Sequence, residues 1–201
     1  MIMLFRRQPS RLRDIDGAAA VLAPAELDRM HRFARDADRL RYLTAWSLVR
    51  QTLADLSGRR PEELEFDRTC RLCGHPRHGK PRLVGEAWEF SLSHAGDRVV
   101  LAVAEGSPVG VDIEPADAAV DGSAHLVLHP DEPPVTGPDL VRVWVRKEAL
   151  AKLTGHGLER PMTSFPVNQP PPGTAVHDLP PDDGYLAALA TVTEPPEHQS
   201  G

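Results

Sequence analysis

Long apolar runs are missing from this 201-residue sequence, and their absence excludes a membrane-spanning helix, which requires about eighteen apolar residues in a row. The first residues, MIMLFRRQPSRLR, reach arginine after too few apolar residues to form a signal peptide. The hydrophobic fraction of 41% is nevertheless sufficient for a buried core. We therefore expect a soluble cytoplasmic protein that does not engage a membrane.

Cysteine is almost missing, since Cys70 and Cys73 are the only two. They share one CxxC, which excludes the disulfide framework of small secreted proteins. With His75 and His78 they form CxxCxHxxH, which offers four zinc-ligand types on one short loop. Structural zinc sites usually take two ligand pairs that lie well apart in sequence. We favour reduced cysteines in a surface loop and keep a zinc-stabilised binding module as an alternative.

Two common nucleotide-binding signatures are also absent, because the chain has neither the GxxxxGK[ST] loop nor GxGxxG. Lysine is scarce as well: 20 of the 23 basic residues are arginine, and the three lysines are Lys80, Lys147 and Lys152. A lysine kept in such a chain indicates a position that suits a compact ammonium group. Chance is the alternative explanation.

Charge is unevenly distributed along the chain. The formal net charge of −6 argues against a generic nucleic-acid binder. Residues 1–83 carry 17 basic and 11 acidic side chains, whereas residues 84–201 carry 6 and 18. The basic first part is compatible with an anionic ligand or an acidic partner.

Hydrophobic spacing predicts helices in the first part of the chain and then strands. Helical spacing over 24–56 predicts one or two helices, and a loop rich in glycine and proline follows. From Trp88 the period changes to two, and WEFSLSH, RVVLAVAE and VGVDIE are predicted strands. The last two are expected to form a hairpin through Gly106-Ser107-Pro108.

The second part repeats this order in a weaker form. Residues 115–139 are acidic and contain prolines, which predicts a connection with at most one short element. VRVWVRKEALAKLT predicts a helix over 141–154 that ends at the following glycines, and a strand is predicted over 185–192. The tail over 193–201 is expected to be disordered.

Two acidic residues stand out in VGVDIEP. Asp112 and Glu114 are two residues apart, so on a strand they project from one face while the neighbouring valines and isoleucine project from the other. Such a pair is a half-site for a hard divalent cation. The alternative is an amphipathic strand with its charged face in water.

The helix predicted over 141–154 carries a second candidate group. Trp144, Glu148 and Lys152 follow each other at intervals of four and share one face. Glu148 would be a third carboxylate and Lys152 a phosphate partner. A routine exposed ion pair between these two side chains is the alternative.

Two further motifs carry candidate ligand contacts. In FSLSHAG, Ser93 and His94 lie at the end of a strand beside a glycine, where they can reach an anion, although a buried or capping His94 is equally consistent. In GKPRL, Lys80 is predicted to lie on an exposed loop, where a lysine can bind a phosphate group. No nucleophilic triad is legible.

Taken in order, GKPRL, FSLSHAG, VGVDIE, WVRKEALAK and TGHGL resemble the 4′-phosphopantetheinyl transferases, in particular the monomeric two-half class that activates peptide and polyketide synthetases. The resemblance implies an α+β pseudo-dimer of two similar halves with the active site in the cleft between them. The corresponding boundaries are 1–114 and 115–192. Residues 115–139, where the family usually has helices that help to receive the carrier protein, look short and are interrupted by prolines.

The resemblance also implies roles for individual residues. Asp112, Glu114 and Glu148 match the acids that bind Mg²⁺, with Mn²⁺ as a substitute, and Lys152 matches the lysine beside the transferred phosphate. Coenzyme A, the substrate, is expected to contact Lys152 through its phosphates. The resemblance implies that Lys80, Ser93, His94 and Arg41 also contact coenzyme A.

The implied reaction transfers 4′-phosphopantetheine from coenzyme A to a serine of an acyl- or peptidyl-carrier protein and releases 3′,5′-ADP. Phosphoryl chemistry of this kind depends on positioned charge compensation. Glu148 is the candidate general base, directly or through a metal-bound water. A catalytically silent relative that only binds coenzyme A or a carrier protein is the alternative.

Overall fold

The computed structural model divides the chain into two compact units, Met1–Gly106 and Ser107–Gly201. Each unit packs one long helix on a three-stranded antiparallel sheet, so the predicted α+β class with two similar halves is confirmed. The structure describes residues 1–71, 73–76, 79–155, 161–180 and 182–193.

The first unit contains three helices, a three-stranded sheet and a small two-stranded one. Its elements are β1 (Ile2–Arg7), α1 (Ile15–Ala20), α2 (Pro24–His31), α3 (Asp36–Ser57), β2 (Phe66–Asp67), β3 (Arg82–Leu83), β4 (Trp88–Ala95) and β5 (Arg98–Glu105). In the main sheet β5 lies between β1 and β4, and both pairings are antiparallel. The strands β2 and β3 pair with each other.

The core of the first unit lies between α3 and its main sheet. Trp46, Val49 and Leu53 of the helix pack with buried side chains of β4 and β5, among them Phe90 and Leu101. Burial of this apolar face is the main stabilising contribution, since a helix gains little from propensity alone. The side chains on the inner face of β4 therefore belong to the core. The opposite face of β4, which carries Ser91 and Ser93, is left for other contacts.

The second unit contains β6 (Val109–Pro115), α4 (Ala124–Val127), α5 (Gly137–Thr154), β7 (Thr174–Asp178) and β8 (Tyr185–Val192). Its sheet has the order β6-β8-β7 and is antiparallel throughout. The helix α5 ends at Gly155, whose φ of +72° is the left-handed conformation typical of a helix stop.

Most predicted elements are confirmed, and one predicted pairing is wrong. The two helices within 24–56, the strand over 185–192 and the short helix within 115–139 are all present. The predicted hairpin of β5 with β6 does not form, because β5 is already paired on both sides and β6 pairs with β8. For the same reason the chain divides before β6 instead of after Glu114.

Four strands have no counterpart in the sequence-based prediction: the two-residue strands β2 and β3, of which β3 lies in the predicted loop, and the longer strands β1 and β7. β1 is a run of apolar residues followed by arginines, without the alternation that indicates a strand, and β7 has five residues of mixed polarity. β1 gains its hydrogen bonds from β5, which lies far away in the sequence, whereas β7 pairs with β8, the next strand along the chain. The tail predicted to be disordered lies, apart from its first residue, outside the described residues.

Within the described ranges, the helices fall short of the length and apolarity that crossing a membrane requires.

Candidate functional site

One face of β6 carries the two predicted acids and turns towards α5. Gly110, Asp112 and Glu114 alternate along the strand, so their side-chain positions share this face. Lys152 of α5 donates to Asp112, with 2.6 Å between Nζ and Oδ1. A Cβ on Gly110 would lie 2.0 Å from the carbonyl oxygen of Ala149, also in α5. The predicted shared face is therefore confirmed.

Small residues allow the helix to come this close to the sheet. On β8, Ala188 lies opposite Asp112 and Ala190 lies opposite Gly110, and both alanines are completely buried. They pack with an apolar row of α5 in which every fourth residue is buried, namely Val141, Val145, Ala149 and Leu153. Glu148 and Lys152 each precede a member of this row by one residue, so the close packing brings them to the edge that carries the acids.

Three carboxylates and one ammonium group therefore influence one another electrostatically. Burial, the charge of Asp112 and the charge of Glu148 raise the pKa of Glu114 to about 7, although Lys152 opposes the shift. Burial and Asp112 likewise raise the pKa of Glu148, and Lys152 again opposes the shift. Carboxylates held together in a half-buried position repel one another, so such a site is suited to bind a proton or a cation.

Both alternatives for these residues are wrong as stated. Asp112 is 3% exposed, so its strand does not turn this acid into water. The ion pair that the structure shows for Lys152 joins it to Asp112 instead of Glu148, its neighbour on the helix. The structure thus brings together all four residues that the sequence singled out in this unit.

The donor set fits a hard divalent cation by its chemistry. Carboxylate oxygens are the ligands that Mg²⁺ prefers, and the raised pKa values of Glu114 and Glu148 express a repulsion that a cation would relieve. Among the described residues, no three His, Cys, Asp or Glu side chains lie in an arrangement ready for a metal ion. In the structure, Oδ1 of Asp112 accepts a hydrogen bond from the ammonium group of Lys152.

The third lysine has a structural environment that the sequence did not reveal. Lys147 is 1% exposed, and its Nζ donates to Oε2 of Glu132 at 2.6 Å and to the carbonyl oxygen of Val127 at 2.7 Å. Glu132 also accepts from the backbone N–H groups of His129 and Val167. Glu132 lies in the acidic connection, where nothing distinguished it from its neighbours.

The residues of the first unit that were predicted to contact a ligand lie on β4 and on the loop before β3. Phe90 and Leu92 pack in or against the core, so Ser91 and Ser93 project from the opposite face, where both are buried. His94 is exposed at the end of the strand. The interpretation of His94 as a buried residue is therefore wrong.

Lys80 is half-buried immediately before β3. Burial lowers its pKa to about 8, with further lowering by Arg71 and Arg82, whereas Glu89 of β4 opposes the shift. The preceding residue, Gly79, donates its N–H to the carbonyl oxygen of Arg68. Burying an ammonium group is energetically costly, and a phosphate bound beside it would offset that cost, which is consistent with a phosphate-binding role.

Arg41 in α3 makes contacts with its own chain. Its Nε donates to the carbonyl oxygen of Gly96 at 2.9 Å, and one terminal nitrogen lies 3.1 Å from a carboxylate oxygen of Asp38. Gly96 lies in the turn between β4 and β5, two residues after His94. This contact could not be predicted from the sequence, because the two residues are far apart along the chain.

Neither cysteine forms a disulfide; Cys73 is exposed, whereas Cys70 is buried and so does not lie at the surface as expected. Among the described residues of this loop, Cys70, Cys73 and His75 are not arranged to hold a metal ion together. His78, the remaining zinc-ligand type of this loop, lies outside the described residues.

Comparison with protein families gives two matches that together span most of the chain. Residues 8–106 match the model of the family described as 4′-phosphopantetheinyl transferase, N-terminal. Residues 108–190 match the 4′-phosphopantetheinyl transferase superfamily. The border between the two matches coincides with the division between the two structural units.

Similar curated proteins agree with these matches. A Bacillus subtilis protein named 4′-phosphopantetheinyl transferase is 26% identical over 191 residues, which cover 90% of this chain and 81% of that protein. The 4′-phosphopantetheinyl transferase HetI of a Nostoc species is 29% identical over 199 residues with the same coverage. The 4′-phosphopantetheinyl transferase psf-1 of Bacillus pumilus is 34% identical over 123 residues, or 56% of this chain and 51% of that protein.

Proposed function

This chain belongs to the 4′-phosphopantetheinyl transferase superfamily and is a transferase, and on that premise we propose that it moves 4′-phosphopantetheine from coenzyme A to a carrier protein in a Mg²⁺-dependent reaction. The acceptor is a serine hydroxyl of an apo acyl- or peptidyl-carrier protein, and the other product is 3′,5′-ADP. The cluster of Asp112, Glu114, Glu148 and Lys152 is the observation that supports this proposal.

In the proposed reaction the serine oxygen forms a bond to the β-phosphorus of coenzyme A, and the bond from that phosphorus to the bridging oxygen of 3′,5′-ADP breaks. The serine proton must leave as the bond forms. Glu148 is suited to take it, because burial and the charge of Asp112 raise its pKa and make it a better base than an exposed glutamate.

The charge that accumulates on the phosphates requires positive groups at fixed positions. Lys152 supplies one, and the close packing of α5 on β6 holds its position. Asp112, Glu114 and Glu148 are the residues that would hold Mg²⁺, which would neutralise charge on the pyrophosphate of coenzyme A. Phosphate oxygens would then offer Lys152 a partner other than Asp112.

We further propose that Lys80, Ser93 and His94 contact coenzyme A. Lys80 is a half-buried cation near Arg71 and Arg82, with Glu89 opposing their effect, Ser93 brings a hydroxyl to the outer face of β4, and His94 is exposed beside the turn. The carriers are proposed to belong to polyketide or nonribosomal peptide synthases, with the transferase acting as a cytoplasmic monomer. The family resemblance supports these finer assignments.

Intact-protein mass spectrometry tests the proposal directly. An apo carrier protein is incubated with coenzyme A, Mg²⁺ and this protein, and a second reaction contains a chelator. A mass gain of one phosphopantetheine that requires the metal is the expected result. Without any gain across several acyl- and peptidyl-carrier proteins, detectable binding of coenzyme A would instead identify a catalytically silent relative.

A further inference from the structure

The loop that carries Lys80, called the Lys80 loop below, begins after Asp67 at the end of β2 and returns to Arg82 at the start of β3. Asp67 and Arg82 are partners in the antiparallel pairing of these two short strands. Lys80 therefore lies two residues from the point where the loop closes. The position of its ammonium group depends on how the two ends of the loop are held together.

The carboxylate of Asp67 joins these two ends. Its Oδ2 accepts a hydrogen bond from a terminal nitrogen of Arg82 at 2.6 Å, and its Oδ1 accepts from the backbone N–H of Thr69 at 2.7 Å. The bonds to Thr69 and Arg82 lower the pKa of Asp67 to about 2. The carboxylate is therefore charged at neutral pH, and a charged acceptor forms stronger hydrogen bonds than a neutral one.

A backbone contact carries this restraint from Thr69 to the residue before Lys80. Gly79 donates its N–H to the carbonyl oxygen of Arg68 at 2.8 Å. A Cβ on Gly79 would lie 2.7 Å from the carbonyl oxygen of Thr69 and 2.8 Å from that of Arg68, so glycine is needed for this approach. The residue before Lys80 thus rests on the same two residues that Asp67 holds in place.

The charge of Asp67 by itself works against a phosphate ligand. A carboxylate near a phosphate-binding lysine lowers the local positive potential, and Asp67 also offsets the charge of its partner Arg82. If charge alone mattered, removal of Asp67 would strengthen the binding of an anion. If its hydrogen bonds matter more, removal would weaken binding, and this opposite sign separates the two effects.

We propose that Asp67, through Thr69 and Arg82, is a positioning residue that holds Lys80 where it binds a phosphate group of coenzyme A. This inference rests on the proposed function. A lysine on a loop that is ordered in advance binds its ligand without the cost of ordering that loop. The hydrogen bonds of Asp67 meet this cost during folding.

Binding of coenzyme A to the full chain, measured by calorimetry in the presence of Mg²⁺, determines this sign. We expect Asp67→Ala to weaken binding by about fivefold to tenfold, because the ligand must then order the loop as it binds. Asp67→Asn keeps an oxygen that can accept from Thr69 and should lose less. Unchanged or tighter binding in Asp67→Ala would overturn the proposal.

Glu63 supplies a matched control. Its carboxylate also pairs with an arginine and accepts a backbone N–H, but both contacts are with Arg60, outside the Lys80 loop. The side chains of Glu63 and Asp67 are similarly exposed, at 42% and 39%. Glu63→Ala is expected to leave the affinity unchanged. A loss equal to that of Asp67→Ala would indicate a general effect of removing an acid and would contradict the proposal.

A second measurement remains informative even if the protein does not bind coenzyme A. The chain has only three lysines, so ¹³C-labelled lysine gives three Cε signals, and Lys80→Arg assigns the signal of Lys80. In the ligand-free chain, we expect ¹³C relaxation to show greater motion of Lys80 in Asp67→Ala but not in Glu63→Ala. The signals of Lys147 and Lys152 should stay unchanged in both variants, because the fold is retained.

The two measurements fail in different ways. Unchanged relaxation of Lys80 in Asp67→Ala would refute the positioning role, whatever the affinity for coenzyme A. Greater motion of Lys80 in a protein that binds no coenzyme A would support the restraint by Asp67 and would refute only the proposed function.

Discussion

Two lysines of the same helix make ion pairs of equal length in very different surroundings. In α5, Lys147 lies 2.6 Å from Glu132, and Lys152 lies 2.6 Å from Asp112. The side chains of the first pair are 0% and 7% exposed, whereas Lys152 is 30% exposed beside a buried Asp112. Distance alone therefore does not distinguish the structural pair, Lys147 with Glu132, from the pair with a proposed function, Lys152 with Asp112, which we call the functional pair.

The difference lies in how completely each pair is satisfied. Glu132 accepts two backbone N–H groups besides Lys147, and Lys147 also donates to a backbone carbonyl, so the pair joins three segments of the second unit. Around Asp112, two more carboxylates have raised pKa values and one ammonium group opposes them. An excess of one charge at a half-buried position indicates a site for a ligand of opposite charge.

The largest expected effect comes from breaking the structural pair. Lys147→Met leaves Glu132 buried without its cation, so we expect the free energy of unfolding to fall by about 3–5 kcal/mol in urea denaturation. The double variant Lys147→Met with Glu132→Leu should recover part of this loss, since no buried charge remains. Arg146→Met is the control and should cost far less stability, because its partner Asp178 is 31% exposed and stays partly in water.

Breaking the functional pair should show the reverse pattern. Asp112→Asn keeps the shape but removes one charge, and we expect transfer to a carrier protein to fall by about 10²–10³-fold while the urea midpoint stays close to that of the wild type. Asp178→Asn is the matched control, because Asp178 also pairs with an α5 side chain, Arg146. If both variants lost activity equally, the assignment of Asp112 would be wrong.

A smaller effect is expected from a substitution of Gly110, where the close approach of β6 and α5 brings the functional pair together. Gly110→Ala introduces a Cβ that would lie 2.0 Å from the carbonyl oxygen of Ala149, so α5 must move away from β6. We expect a loss of about 1–3 kcal/mol in urea denaturation, together with reduced transfer activity. Gly122→Ala is the control, because a Cβ there meets nothing within 4 Å. Unchanged activity in Gly110→Ala would show that the close approach is not required for the reaction.

The sequence predicted that Asp112, Glu114, Glu148 and Lys152 lie on two shared faces, because these signals are local. Alternation along β6 places Asp112 and Glu114 on one face, and an interval of four residues aligns Glu148 with Lys152 on α5. The approach of the two elements could be anticipated only through the family resemblance. In the structure, Gly110 and Ala188 explain how α5 comes so close to the sheet. In the sequence, however, a small residue does not indicate which element packs on it.

The structural pair and the strand pairing could not be predicted in the same way. Glu132 is one acid of an acidic connection, and its importance arises from Lys147 and Val167, which approach it only in the folded chain. β5 and β6 are adjacent in sequence and separated by a turn-like segment, which is typical of a hairpin. Competition by β1 and β8, which lie at the two ends of the chain, decided the pairing instead.

The smallest effect is expected from acid titration of the structural pair. Although burial opposes it, the bonds to Lys147, Val167 and His129 lower the pKa of Glu132 below its usual 4.5. A lowered folded-state pKa means that the stabilisation is present above 4.5 and is lost as the pH falls through the lower folded value. Stability measured in urea from pH 6 downwards should therefore decline less in Glu132→Gln than in the wild type. Parallel curves would show that the hydrogen bonds of Glu132, and not its charge, hold the three segments together.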